Sequence, residues 1–393
     1  MKVKLGEYIQ EYSVRNKANE DIPVYSVTNT QGFCQDYFGK EVASKDKSTY
    51  KIVPRGYFAY NPSRINVGSV DWQRDEDQVI VSPLYNVFSV SPELNQQYLY
   101  YYLKSDFALH RIKAVATGSV RDNLKLEMLK NFPIRIPRVE EQEYIVQVLD
   151  KAKNIINLRR NELQKLDDLI KARFVEMFGL VRNNVYGYKI KMLQDVCEPI
   201  KDGTHQTPTY VNDAQHGFKF LSSKDVTSGK INWSKIKYIP SDLHEELYAK
   251  IKPKRGDILL AKNGTTGVAA VVETDEIFDI YVSLALLRPI DMNSIYLWAA
   301  VNSADTKHQF DSSLKGIGVP NLHLGDIKKT KIIVPPLELQ SQFADFVIQV
   351  DKSKLLSGCR LFHSWAPENR DQPKHVGVPQ RKTKVLRGGR RQQ

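Results

Sequence analysis

Hydrophobic and polar positions follow two different rhythms along this chain. Short apolar stretches bounded by turn-forming residues predict strands at 24–27, 57–60 and within 79–90, and again at 218–222, 258–261 and 281–287. A helix is predicted after each strand-rich part. In the first it starts after Ser91-Pro92, where serine caps and proline suits the first helical position, and in the second near Asp291. Each part then ends in a short strand running into proline, IRIP or IIVPP, which stops regular structure.

Beyond Pro137 the rhythm changes to threes and fours. Ile145, Leu149, Ala152, Ile156, Arg159, Leu163, Leu166, Ile170, Arg173 and Met177 fall at coiled-coil spacing, and eight of the ten are apolar. No Gly or Pro interrupts 139–178, and Gly179 closes the run. The prediction is one helix over 139–179, roughly 60 Å long at about 1.5 Å per residue. A stripe this long calls for a helical partner, with a surface helix lying on one domain as the alternative. The segment LELQSQFADFVIQVDKSKLL, 337–356, predicts a second, shorter helix of the same kind. From Ser357 the periodicity stops. Residues 357–393 hold three prolines and nine basic against two acidic side chains, which predicts a basic tail without fixed structure. It reads either as the product of a frameshift, recombination junction or truncation, or as a polybasic arm that grips phosphate.

The two strand-rich parts are copies of each other. Pro54 and Gly56 match Pro253 and Gly256, and Val79-Ile-Val-Ser82 matches Ile280-Tyr-Val-Ser283. YLYYYLKS from Tyr98 matches YLWAAVNS from Tyr296, and Asn123-Leu-Lys-Leu126 matches Asn321-Leu-His-Leu324. Ile134-Arg-Ile-Pro137 matches Ile332-Ile-Val-Pro335, and Glu140-Glu-Gln142 matches Glu338-Leu-Gln340. All offsets lie between 198 and 201 residues, a register that chance similarity does not keep. The organisation implied is α+β: a module at 1–138, a spacer helix at 139–179, a second module at 180–336, a shortened spacer helix at 337–356 and the tail at 357–393.

Composition changes this picture little. With 393 residues, 41% hydrophobic and 26% charged, the chain has room for two ordinary cores. Its start, MKVKLGEYIQ, has no apolar leader segment and no run approaches a membrane span, so a cytoplasmic protein is expected. Three widely spaced cysteines, Cys34, Cys197 and Cys359, fit neither a disulfide framework nor a zinc site, and no His/Cys cluster suggests a metal. The net charge is +12, but the tail supplies more than half of it, so charge alone points only weakly to a polyanion partner for the folded body.

The stretch AYNPSRINVGS, 59–69, lies close to the Asn-Pro-Pro-Tyr/Phe signature of adenine methyltransferases, in which the aromatic ring stacks on a flipped base. Here the fourth position is Arg64. A methyltransferase also needs a glycine-rich cofactor turn between strand and helix, and the one glycine-rich candidate, Asn263-Gly-Thr-Thr-Gly267, runs into the strand-like VAAVV. A catalytic Asn61 is therefore not expected. Tyr60, Asn61, Arg64, Asn66 and Ser69 instead suit DNA contacts: Arg bridges guanine O6 and N7, Asn pairs with adenine, and hydroxyls take phosphate oxygens. For Asn61 an Asx turn made rigid by Pro62 stands beside that reading. In the second copy Lys262, Asn263, Thr265 and Thr266 form the analogous loop, which is equally a plain hairpin turn. Lys201, Thr204 and His205, within KDGTHQT, are dense in hydrogen-bonding groups, as a solvated loop would also be. Arg121 and Asn321 lie in matching loops and complete the DNA-binding candidates. The tyrosines at 98 and 100–102 read as helix packing rather than base stacking.

The tandem modules, RGYFAYNPSRINVGS, SLKGIGVPNLHLGDIKKTKIIVPPLELQ and the central helix together resemble the specificity subunit of Type I restriction-modification systems, over residues 1 to about 356. The resemblance implies two target-recognition domains, each reading one half of a bipartite site in double-stranded DNA. It implies spacer helices that pair antiparallel and dock modification subunits, two in number, with restriction subunits joining through the complex. Ile145, Leu149, Ile156, Leu163, Leu166 and Ile170 would form the docking stripe. S-adenosylmethionine would sit on the modification subunit, with no cofactor on this chain. A stand-alone two-module DNA-binding regulator and a self-sufficient adenine methyltransferase are the competing readings.

Overall fold

The computed structural model describes residues 2–35, 46–116, 123–211, 217–226, 229–264, 266–314 and 321–364. The chain divides into two compact units, 1–160 and 161–393.

In the first unit four short strands form an antiparallel sheet in the spatial order Ile9–Glu11, Asn86–Val90, Phe58–Tyr60, Val70–Trp72. Phe58 stacks on Phe88 across neighbouring strands at 5.1 Å, and this buried pair anchors a core that also takes Leu99, Leu103 and Ile112 from the following helices. Those helices are α1 (Gln96–Lys104), α2 (Asp106–Val115) and α3 (Leu126–Lys130). α1 does not begin at Pro92. Ser91 is still held by the sheet through its N–H to Tyr8 O, and Asn95 caps the helix instead, its side chain accepting from Tyr98 N. Ser105 then breaks the helical run in two by capping α2 through Ala108 N.

α4 (Val139–Phe178) leaves this module and crosses the division into the second unit. Its first turn is fastened by Gln142, which is completely buried. The Gln142 side chain accepts from Asn95 N at 2.8 Å and donates to the carbonyls of Glu93 and Pro137 at 2.8 and 2.9 Å. Removing that amide would leave three partly buried backbone groups without this partner.

The second unit repeats the plan. Its four-stranded sheet runs Lys201–Asp202, Leu284–Leu287, Ile258–Ala261, Ala269–Val271, the same antiparallel order as the first. Helix α5 (Ser241–Lys250) lies on a separate three-stranded sheet and has no counterpart among the described residues of the first module. α6 (Ser294–Val301), α7 (Ala304–Ser313) and α8 (Leu324–Lys329) follow the sheet, as α1 to α3 do. α6 starts past Asp291, which takes a positive φ of 50° in the preceding turn; Asn293 supplies the cap. Gln340 repeats the role of Gln142, accepting from Asn293 N at 3.0 Å and donating to Pro335 O at 2.9 Å. Tyr98 and Tyr296 repeat another bond, donating to the carbonyls of Arg135 and Ile333.

α9 (Leu337–Ser364) is longer than its periodicity predicts. The helix continues past 356 through Ser364, because no proline intervenes before Pro367 and Gly358 alone costs a helix only about 1 kcal/mol. Residues 365–393, the rest of the predicted tail, lie outside the described residues. Within the second unit α9 packs antiparallel on the last three turns of α4. Phe343 meets Phe174 and Phe178 edge-on at 5.5 and 5.6 Å, and Lys354 pairs with Asp167 at 2.6 Å. The buried side of α4 here is Ile170, Phe174 and Phe178, with Leu166 and Met177 packed beside them.

Candidate nucleic-acid interface

In the first module the loop 61–69 joins two neighbouring strands of the four-stranded sheet. It is a built structure. The Asn61 side chain accepts from Ser63 N at 3.0 Å, and its carbonyl accepts from the N–H groups of Arg64 and Ile65, both at 2.9 Å. That is the Asx turn considered for this residue, closed by a short 3-10 turn whose Ile65 is buried and whose Gly68 takes φ 90° to return the chain to the sheet.

The candidates in this loop separate by burial. Tyr60 is completely buried, its hydroxyl donating to Leu124 O at 3.1 Å and accepting from the Asn86 side chain at 2.9 Å. Burial raises its phenol pKa well above the ordinary value. Tyr60 is thus a pillar under the loop, and Ser69 is buried as well, so neither side chain faces solvent as the sequence expectation of a DNA contact assumes. Asn66 is half-buried. Arg64 is exposed, with no ion-pair partner among the described residues. Arg121 lies outside the described residues.

Beside the loop opens a cleft of about 410 Å³, lined by Glu11, Lys51, Asn86, Asn123 and Lys125 among others. The backbone ties it to the loop, since Leu124 N donates to Pro62 O at 3.1 Å. Lys51 donates to Tyr85 O at 2.7 Å, and burial holds its ammonium below the usual lysine range. Sequence reasoning passed over these residues. Asn123 and Lys125 were visible as repeat framework, whereas Lys51 carried no local signal.

The second module builds its loop differently. Lys262 is buried and paired with Asp202, whose other oxygen lies 3.4 Å from the exposed His205. Lys262 therefore holds two loops together from inside, whereas the sequence expectation has it facing DNA. Asn263 bridges to Asn321, and Leu322 N donates to Lys262 O at 2.9 Å, so the 262–267 loop and the segment after α7 are fused. Thr204 bridges to Tyr281 and its hydroxyl accepts from Gln206 N at 3.2 Å. A Cβ on Gly203 would lie 1.9 Å from Ile280 O, which explains the glycine of KDGTH. Lys201 is exposed and its ammonium reaches Lys250 O at 3.4 Å. Thr266 is half-buried, its hydroxyl donating to Gly264 O at 3.2 Å; Thr265 lies outside the described residues. The structure thus brings His205 and Lys262 together through Asp202, and Asn263 and Asn321 through their bridge, while the Lys201 side chain turns instead to the end of α5.

Along α4 the predicted docking stripe is uneven. Ile170 is buried and Leu166 packs on the second unit's core, while Leu163 and Ile145 are half-buried and Leu149 and Ile156 are exposed. Among the described residues no group of three or more His, Cys, Asp or Glu side chains could hold a metal ion. No helix among them is long and apolar enough to cross a membrane.

Comparison with known proteins shows the same doubling. The family model described as the Type I restriction modification DNA specificity domain matches twice, over residues 2–168 and 187–358. The chain is 23% identical over 277 residues to the Type I restriction enzyme MjaVIII specificity subunit of Methanocaldococcus jannaschii, an alignment covering 66% of this chain and 64% of that protein. Against the Type I restriction enzyme EcoBI specificity subunit of Escherichia coli it is 20% identical over 347 residues, covering 79% and 72%. A solved chain, from work on complex assembly and conformational transition of the type I R-M system, is 18% identical and superposes with a TM-score of 0.54 over 93% of each chain. That likeness shows the fold: two tandem α+β modules with long spacer helices.

Proposed function

The chain belongs to the family of the Type I restriction modification DNA specificity domain, and from that premise we propose that it is the DNA-reading subunit of a restriction-modification complex. Each module reads one half of a bipartite site in duplex DNA, and the spacer helices dock two modification subunits that carry S-adenosylmethionine and methylate adenine. Restriction subunits join through that assembly. The observation that carries this reading is one sheet order built twice, with loops of different chemistry at the same place in each copy. A constant frame holding two unlike loops is what reading two unlike half-sites requires.

Catalysis is assigned to the partner. The Asn61 side-chain oxygen is taken up by Ser63 N, and Arg64 stands where a base-stacking ring would be needed. The test is to coexpress the chain with its cognate modification subunit and map methylated adenines genome-wide. The expected result is a bipartite motif with two different halves at fixed spacing. A continuous motif, or methyl transfer by the isolated chain, would overturn the reading, and specific duplex binding by a chain that never copurifies with a methyltransferase would favour a stand-alone regulator.

A further inference from the structure

A loop that reads bases needs its exit held as firmly as its tip, because a small error at the hinge displaces the reading side chain. In the first module the exit is gripped from the C-terminal end of α1. The half-buried Lys104 ammonium donates to Gly68 O, to Asn29 O at 3.0 Å and to the Asn29 side-chain oxygen at 3.4 Å. Gly68 closes the 61–69 turn, and a Cβ there would stand 2.7 Å from Asn29 Oδ1, so the loop end, the 28–32 turn and the helix meet at one point.

The residue 198 positions later is Asn302, immediately after α6. Its side-chain oxygen accepts from Ala269 N at 3.0 Å and its amide nitrogen donates to Ala269 O at 3.0 Å. Ala269 is the first residue of the strand that leaves the 262–268 loop. Trp298, at the place of Tyr100, adds an indole N–H to the same carbonyl at 3.0 Å. One helix position therefore grips the chain at the same exit in both modules, with an ammonium in one and an amide in the other. Core packing does not demand this: both are polar side chains spent on backbone groups, over and above the bonds that Gly68 O accepts from Val70 N and Ala269 O from the Trp298 indole.

We propose that Lys104 and Asn302 are positioning residues for base reading, each fixing the exit angle of its own module's recognition loop without touching DNA. The inference deepens the DNA-reading function and rests on it. Each residue should then govern one half-site only, a division of labour that a general contribution to folding would not produce.

The test uses the chain coexpressed with its modification subunit, comparing wild type with Lys104→Met, Lys104→Arg and Asn302→Leu. Three quantities are read: methylated sites genome-wide, the unfolding temperature of the complex, and hydrogen exchange at 61–69 and 262–268. Lys104→Met is expected to lower the preference for cognate over singly mismatched first half-sites about tenfold, the effect of losing a charge-assisted hydrogen bond. The second half-site should be unchanged, exchange should rise only in 61–69, and Lys104→Arg should restore most of the preference. Asn302→Leu should give the mirror result. Equal loss at both half-sites with a lowered unfolding temperature would reduce the staple to a structural bond. Unchanged selectivity in an assembled complex would also overturn the proposal. If wild type itself marks no bipartite site, the DNA-reading function fails; the exchange data then show whether the staples hold the loops, and unchanged exchange in the variants sinks the staple separately.

Discussion

The two modules share a frame and differ in how they use their loop cations. In the first, Arg64 stands exposed at the loop while the loop's shape is kept by backbone, by the buried Ile65 and by Tyr60 beneath. In the second, Lys262 is drawn inside to Asp202, His205 is left exposed, and Asn263 and Asn321 are half-buried and bridged to each other. What does not change is the set of polar clips that join helix to loop and helix to spacer: Gln142 and Gln340, Tyr98 and Tyr296, Asn95 and Asn293. The difference teaches that the frame is specified by a few side-chain bonds at fixed spacing. Loops hung on such a frame can exchange cations without disturbing it.

The comparison breaks first at the clips. Gln142→Leu leaves Asn95 N and the carbonyls of Glu93 and Pro137 without their partner, and should destabilise the first unit by about 3 kcal/mol. Gln340→Leu strands two groups and should cost about 2 kcal/mol. Chemical denaturation of each variant, followed by a probe in its own unit, checks the order; equal small losses would mean the clips are ornaments of the repeat.

A second contrast lies along α4. Leu166 packs on the second unit's core, so Leu166→Asp should cost about 2–3 kcal/mol in the chain alone, through lost burial and a poorly solvated carboxylate. Leu149 and Ile156 are exposed, so changing both to Asp should cost the isolated chain little yet impair assembly with the modification subunits. Size-exclusion analysis of the coexpressed complex reads the difference. Normal assembly by the Leu149→Asp/Ile156→Asp chain would remove that half of the stripe from the docking surface.

These contrasts also mark what the residues alone could tell. The α4 boundaries and the duplication were legible because a period of three and four, an absence of Gly and Pro, and offsets near 198 are properties of the letters themselves. The start of α1 was missed and that of α6 lies three residues past Asp291: Asn95 and Asn293 cap the helices, and their own N–H groups are taken by Gln142 and Gln340, 47 residues downstream of each. α5 escaped because it has no copy among the described residues to be matched against. The burial of Tyr60 and Lys262 was illegible for one reason. A polar tip at a loop entrance has the same letter whether it faces a base or a carbonyl, and the partners that decide, Leu124 and Asp202, lie about 60 residues away.

The two cations sharpen the comparison. Lys262→Met would leave the Asp202 carboxylate nearly buried with only the exposed His205 at 3.4 Å to oppose it. A loss of about 2 kcal/mol is expected, below that of a fully enclosed pair because water and His205 share the charge. The Asp202→Asn/Lys262→Met double variant should recover part of it. If Lys262→Met cost nothing, the pair would be a surface contact and Lys262 would return to the DNA-binding candidates.

Arg64→Ala is the mirror experiment and the smallest in stability. Arg64 is exposed and has no ion-pair partner among the described residues, and the turn that carries it is closed by Asn61, Ile65 and Gly68, so unfolding should shift by less than about 0.5 kcal/mol. Its effect belongs to DNA. If the guanidinium reaches a base edge, preference at one half-site falls by about 1–3 kcal/mol while the other half-site is untouched. If it meets phosphate, affinity falls on all sequences alike and the salt dependence becomes shallower by about one unit. Competition binding with duplexes altered in one half at a time, repeated at two salt concentrations, separates the outcomes. A stability loss matching that of Lys262→Met would show that the two loops use their cations in the same way, and the contrast between the modules would collapse.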